Sequence, residues 1–338
     1  MAKFTNKIKR LIIACNYLTF KKVVILHKIV FSYILSVFGV VGLKPKYPHF
    51  ISVETTNYCN LHCPECPVGL KQYQNKSSCF DYNLFVKLIN ELKTNIFHVI
   101  LYFQGEPFLH NNLAELIKYA HKSKLYTSTS TNGQFLRGNM AREIVLSGLD
   151  KLIISVDGST QEVYQSYRVG GNLQKALDGI KELVYWKKML KSATPLLEIQ
   201  FIVLKTNESQ LDEMRKLARA LDVDRLAFKT AQLYNFESGN ELMTSKSKYS
   251  RYKKNKQGKL EIKAKQLNRC WRLWSGAVVN VHGEVLPCCF DKGSEHSFGN
   301  VQNNLFSACW SNKKASDFRA KILHNRKQFE MCRNCTAK

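Results

Sequence analysis

The sequence predicts an α/β fold: a partial (β/α)6 TIM-like barrel, with a helical N-terminal extension before it and a small cysteine-rich domain after it. Three observations predict this. Short β-rich runs alternate with stretches of helical period from about residue 50 to about residue 230, which implies parallel strands joined by right-handed crossovers. Polar turn motifs stand at the ends of the first four β-rich runs, where such folds bind ligands. Most of the 11 cysteines gather into two short-spaced groups, one just after the first run and one near the C-terminus. A doubly wound open sheet is the alternative to barrel closure. At 338 residues there is room for one large domain and a smaller one, with boundaries predicted at 1–46, 47–240 and 241–338.

Taken in order, the first element is basic. Phe4, Ile8, Leu11, Cys15 and Leu18 recur at helical spacing, with Lys3, Lys7, Lys9 and Arg10 between them. A second apolar run, IVFSYILSVFGVVGL at 29–43, follows His27 and Lys28. Fifteen helical residues reach about 22 Å, short of a hydrocarbon core of about 30 Å. Extension back to Val23 supplies the length but takes in Lys28. Three readings stay open: a helical pair packed on the main domain, a peripheral anchor on the inner face of a membrane, or a span. KPKYP at 44–48 reads as an extended linker.

Charge sharpens the question. The first 46 residues hold nine of the 51 Lys and Arg and no Asp or Glu, and the rest carries 42 basic against 26 acidic residues. That balance invites an anionic membrane surface, a nucleic acid or an acidic substrate. No small-residue cleavage site follows the early apolar run, and the cysteine count is odd. A reducing cytoplasmic setting with metal or Fe–S ligation is therefore expected rather than disulfides.

The strands are expected at 50–55, 98–103, 126–130, 151–156, 197–204 and 225–230, with helices near 82–93, 111–123, 138–147, 172–190 and 208–221. The first run leads into Cys59, Cys63 and Cys66. The second ends in Gln104-Gly105-Glu106-Pro107, the third in Thr131-Asn132-Gly133 and the fourth in Ser155-Val156-Asp157-Gly158. Structural zinc asks for four ligands, whereas three close thiols suit a cubane with one iron left open.

On these motifs the sequence resembles the radical S-adenosylmethionine (radical SAM) superfamily, whose C-x3-C-x2-C loop appears here as Cys59, Cys63 and Cys66. The resemblance implies a [4Fe–4S] cluster whose open iron chelates S-adenosylmethionine. Its reduction there yields a 5′-deoxyadenosyl radical that abstracts a substrate hydrogen. It also implies an electron donor of flavodoxin or ferredoxin type. Gly105, Glu106 and Pro107 match the family's GGEP motif, with Gln104 in place of its first glycine. Ser155 and Asp157 match a ribose-contacting strand, and Arg168 an arginine that pairs with the methionyl carboxylate. Asn207 matches an asparagine after the fifth strand. Glu65 stands where the family often has an aromatic residue. No catalytic base is singled out.

Residues 245–265 form a lysine-rich passage, read as a connection or a solvated loop. Beyond it Cys270, Cys288, Cys332 and Cys335 make a four-thiol set, with a hairpin turned at His282-Gly283 between the first two. The arrangement is similar to the SPASM domain of many radical SAM enzymes and implies one auxiliary [4Fe–4S] cluster. Cys289 is the alternative to Cys288, and a zinc ribbon the alternative to the cluster. Cys309 is expected to be structural, and Cys15 and Cys79 have no partners in sequence. The resemblance favours radical modification of a peptide or protein. A lipid-linked or carbohydrate intermediate, RNA, and a non-enzymatic zinc scaffold are the other readings.

Overall fold

The computed structural model describes residues 2–40, 45–72 and 76–336, with side chains except those of 2–7 and 10. The end of the second apolar run and the first linker residue, 41–44, lie outside the described residues. So do the side chains of Lys3, Phe4, Lys7 and Arg10.

Among the described residues there are ten strands: β1 Phe50–Val53, β2 His98–Ile100, β3 Tyr126–Thr131, β4 Lys151–Ser155, β5 Leu196–Val203, β6 Arg225–Thr230, β7 Tyr252–Lys254, β8 Leu260–Ile262, β9 Gly276–Val279 and β10 Val285–Leu286. The first six are the six expected from sequence, and helices follow them at Tyr82–Leu92, Leu113–Lys122, Asn139–Leu146, Leu173–Met189 and Leu211–Ala220. Two of these helices have chemically marked starts. Asp81 accepts from the Leu84 N–H, and Asn172 from the Lys175 N–H, so each caps a helix whose first amides lack partners. The helix Gln161–Tyr167, capped by Thr160, was not expected from the sequence.

The chain divides into two compact units. One comprises 1–57, 76–128 and 266–338, and the other 58–75 and 129–265. In the first, strand order is β10-β9-β1-β2-β3. Strand β9 lies parallel to β1, with Phe50 opposite Gly276 and Val53 opposite Val279, and β10 folds back antiparallel on β9. Gly276 is required at that pairing, because a Cβ there would fall 2.2 Å from the Phe50 ring. In the second unit the order is β3-β4-β5-β6, with β4, β5 and β6 mutually parallel. Inward-facing Leu152, Ile154, Leu197, Ile199 and Phe201 are buried in its core. The lysine-rich passage is neither bare linker nor loop: β7 and β8 form a hairpin within it.

The N-terminal helices, Ala2–Cys15 and Phe20–Val37, pack on the first unit. The Lys22 ammonium donates to the carbonyls of Tyr17 (3.3 Å) and Lys124 (2.7 Å), and the Trp274 indole N–H donates to Ser32 Oγ at 3.2 Å. Tyr33 sits edge-on to Trp271 and Trp274. No helix among the described residues is long and apolar enough to cross a membrane.

Candidate metal and cofactor centres

The second unit holds the cysteine loop. Cys63 is buried and packs with Leu61, Tyr167 and Leu204, and Cys59 and Cys66 lie against the same cluster. The loop can turn this tightly because of Gly69, where a Cβ would fall 2.6 Å from the backbone N and O of Cys63. The Cys66 N–H bonds to the Cys63 carbonyl, and the His62 N–H to the Val169 carbonyl. Glu65 ties the loop down from its other side, accepting from the Tyr234 N–H (2.9 Å) and the Asn240 amide (2.8 Å). The residue that departs from the family's aromatic preference is thus a latch.

Donors are aimed at the sulfurs. Cys59 Sγ accepts from the Leu61 N–H at 3.4 Å and from Asn132 Nδ2 at 3.7 Å, while the same amide nitrogen holds Asn60 Oδ1 at 2.8 Å. Arg168 Nη1 lies 3.8 Å from Cys63 Sγ. Burial pushes the Cys63 thiol above its usual range, and the Arg168 guanidinium works against that. Three thiols with N–H and guanidinium donors fit an anionic Fe–S cluster, whose sulfurs take such bonds. Among the described residues no three His, Cys, Asp or Glu side chains are placed to hold a single metal ion. A cubane asks for something different, one thiolate per iron at separate corners.

Arg168 is itself held. Its Nε donates to Asp157 Oδ2 at 2.6 Å, and Asp157 Oδ1 accepts from the Ile202 N–H at 2.5 Å. Asp157 has no exposed surface, and the carboxylate expected to meet a ribose has both oxygens engaged within the chain. Asn207 is likewise consumed: it accepts from the Leu204 N–H and donates to the carbonyls of Asp157 and Ile202, stapling the ends of β4 and β5. Ser155 ends β4, nearly buried.

The Gln104–Pro107 motif belongs to the first unit. Gly105 has φ +66°, a conformation glycine adopts freely. The Glu106 carboxylate accepts from the Phe108 N–H at 3.1 Å, capping the turn that Pro107 begins, and its carbonyl accepts from Thr56 Oγ1 at 2.9 Å. Gln104 donates to the Lys292 carbonyl and leaves its own buried oxygen without a partner. Beside it stands a residue that sequence reasoning missed. Glu54, just past β1, is buried; Oε2 accepts from the Val281 N–H at 2.9 Å and Oε1 has no partner. Burial raises this carboxyl to about 7, and its hydrogen bond to the Val281 amide pulls it the other way. The one charged residue in the strand run FISVET was the available signal.

The same unit gathers the C-terminal thiols. Cys270, Cys288, Cys332 and Cys335, all buried, line one cavity with Phe290, Phe318, Ile322 and Met331. The guanidinium of Arg326 reaches into the set and is hydrogen-bonded to Cys332. A buried cation among four thiols fits an anionic cluster, since neutral thiols would leave its charge uncompensated. Burial pushes Cys332 up to about 11, opposed by that guanidinium. Cys289 is not part of that lining: it packs on Phe103, Val278 and Leu286, shares a hydrogen bond with the Cys288 thiol, and has its sulfur 3.3 Å from Arg272 Nη1. Cys309 is buried, whereas Cys15 and Cys79 are exposed.

Comparison with known proteins agrees with both sets. The Radical SAM superfamily profile matches residues 53–185, and the SPASM profile, an iron–sulfur cluster-binding domain, matches 270–336. The PqqA peptide cyclase of Rhizobium meliloti is 27% identical, over 86% of this chain and 80% of its own. The tungsten-containing aldehyde ferredoxin oxidoreductase cofactor-modifying protein of Pyrococcus furiosus is 24% identical, over 85% and 87%. Among solved structures, Streptococcus suis SuiB bound to precursor peptide SuiA superposes with a TM-score of 0.62 at 12% identity, covering 87% of this chain and 72% of that one. That likeness concerns fold, and the fold is the partial TIM-like barrel with its SPASM appendage. Because each profile falls on a segment carrying one of the two thiol sets, the chain belongs to the radical SAM superfamily with a C-terminal SPASM domain, an enzyme of S-adenosylmethionine, a [4Fe–4S] cluster and auxiliary Fe–S chemistry.

Proposed function

We propose that this enzyme modifies a side chain of a peptide or protein by hydrogen abstraction. The observation that carries the reading is similarity to a peptide cyclase along most of both chains. The cluster, when bound, supplies chelation of S-adenosylmethionine and its reductive cleavage to a 5′-deoxyadenosyl radical.

The chain's own residues do the placing. Cys59, Cys63 and Cys66 would hold the reactive cluster, with Asn132 and Glu65 fixing the loop that presents them. Arg168 would take the methionyl carboxylate, as a guanidinium fork suits. Asp157 acts one step back, as the carboxylate that sets the Arg168 angle. Gly105, Glu106 and Pro107 would offer backbone acceptors to the ligand's ammonium, and Ser155 a hydroxyl to its ribose. Cys270, Cys288, Cys332 and Cys335 would hold the auxiliary cluster; the four line one cavity, and Cys289 is not part of its lining. A small acidic redox protein of flavodoxin or ferredoxin type is the matching electron donor, given a net charge of +25.

The test is anaerobic turnover of the reconstituted enzyme with peptides encoded beside its gene. A mass change in one of them, with deoxyadenosine formed in step, is expected. Deoxyadenosine coupled only to a carbohydrate or lipid-linked acceptor would overturn the peptide reading. Zinc without iron or sulfide in the purified protein would overturn the whole.

A further inference from the structure

We propose that the outward face of the N-terminal helical pair is a docking surface for an anionic lipid bilayer. The observation is an inversion of ordinary amphipathicity. A helix with one face in water turns its apolar stripe inward and its polar residues out. In the helix Phe20–Val37, Ile29 is buried, but beside it the side chains turned onto the domain include Lys22, Ser32 and Ser36. Lys22 donates to two carbonyls and Ser32 accepts from the Trp274 indole, while Ser36 donates back to the Tyr33 carbonyl of its own helix. The opposite face carries Phe20 at 87% exposure and Phe31 at 59%, and Phe38 just past the end is 79% exposed. The neighbouring helix adds Leu11 and Ile12, both more than half exposed. The polar residues are thus satisfied inside, and the phenylalanines stand where only an apolar medium would receive them.

Charge selects the medium. The segment 1–46 holds nine basic residues and no acid. A symmetric interface with a second copy would set cations against cations, whereas anionic headgroups meet them with opposite charge. Lys28 and Lys46 also line a recess of about 520 Å³ with Ile25, Phe31 and Tyr47, apolar walls beside ammonium groups, the pairing an acidic phospholipid presents. The helix is too short and too charged to cross, so it lies in the interfacial plane.

The test is co-sedimentation of the full-length, anaerobically purified protein with extruded vesicles. Binding to mixed phosphatidylcholine–phosphatidylglycerol vesicles is expected, with little to pure phosphatidylcholine and release by high salt. The Phe20→Ser/Phe31→Ser/Phe38→Ser variant should bind at least about tenfold more weakly, and Lys28→Gln/Lys46→Gln at least about tenfold more weakly, at about fivefold for each charge removed. Circular dichroism melting, iron content and deoxyadenosine formation should match the parent in both. Equal binding to the two vesicle types overturns the proposal, as does no binding to either. Light scattering that shows a dimer broken by the triple-serine variant, without lipid binding, assigns the face to a second copy instead and overturns it too.

Discussion

Replacing Arg168 by alanine tests the innermost part of the site. Asp157 is fully buried, and its carboxylate is held by the Ile202 N–H and Arg168 Nε. Removing the guanidinium strands a buried charge on one amide, a change that costs about 3–5 kcal/mol when a buried pair is broken. The Arg168 side chain is 14% exposed, so water can relieve part of this and the lower end, about 3 kcal/mol, is the working figure. An unfolding entropy of about 2.1 cal/mol/K per residue over 338 residues converts that to a fall of about 4 °C in melting temperature, and to more if the second unit melts alone. The assay is a double-mutant cycle by thermal or denaturant unfolding. Asp157→Asn keeps shape without charge, so the double variant should recover most of the loss. A 1 °C change in Arg168→Ala, or no recovery in the double variant, would refute the reasoning. In turnover, Asp157→Asn should raise KM for S-adenosylmethionine more than it lowers kcat, as a positioning residue does.

Other outcomes follow from the same geometry. Cys59→Ala should abolish deoxyadenosine formation and lower iron content, measured by chromatography and metal analysis; cleavage at the parent rate would remove that cysteine from the centre. Cys332→Ala should spare substrate-free cofactor cleavage more than substrate turnover, and equal loss of both would leave the C-terminal set a purely structural role. Glu54 binds its proton more tightly folded than unfolded, because burial raises it to about 7. Its contribution is therefore complete below the unfolded value and is lost as pH rises through about 7, by up to about 3 kcal/mol. Glu54→Gln should flatten that slope, so that its melting temperature relative to the parent rises between about pH 5 and about pH 8. Parallel curves would deny Glu54 the proton.

The six strands and the helices after them were legible because apolar period and strand-end turns coincide along that whole stretch. The two thiol groups stood out by their spacing and by the family resemblance, with the choice between Cys288 and Cys289 left open. The pairing of β9 with β1 was not legible, since nothing local in GAVV marks a partner more than 200 residues away. Nor could sequence divide Cys288 from Cys289. The two are adjacent and their thiols share a hydrogen bond, and which one lines the cavity with Cys270 is set by how the chain leaves β10. Asp157 and Asn207 matched ligand-contacting positions, yet their hydrogen bonds are spent inside the chain, a balance visible only once partners are known. The orientation of the second N-terminal helix was hidden for a related reason: its inward polar groups are satisfied by Trp274 and by the Lys124 carbonyl, both remote in sequence.

The seam between β1 and β9 also bears on how the molecule is made. A ribosome releases the first strand early, yet its neighbour on that side emerges only after some 220 further residues. Until then β1 presents open amides and carbonyls, a template for pairing with the wrong chain. Fragments that stop before residue 276 should consequently aggregate rather than fold as free barrels, and assembly of the metal centres is tied to completion of synthesis.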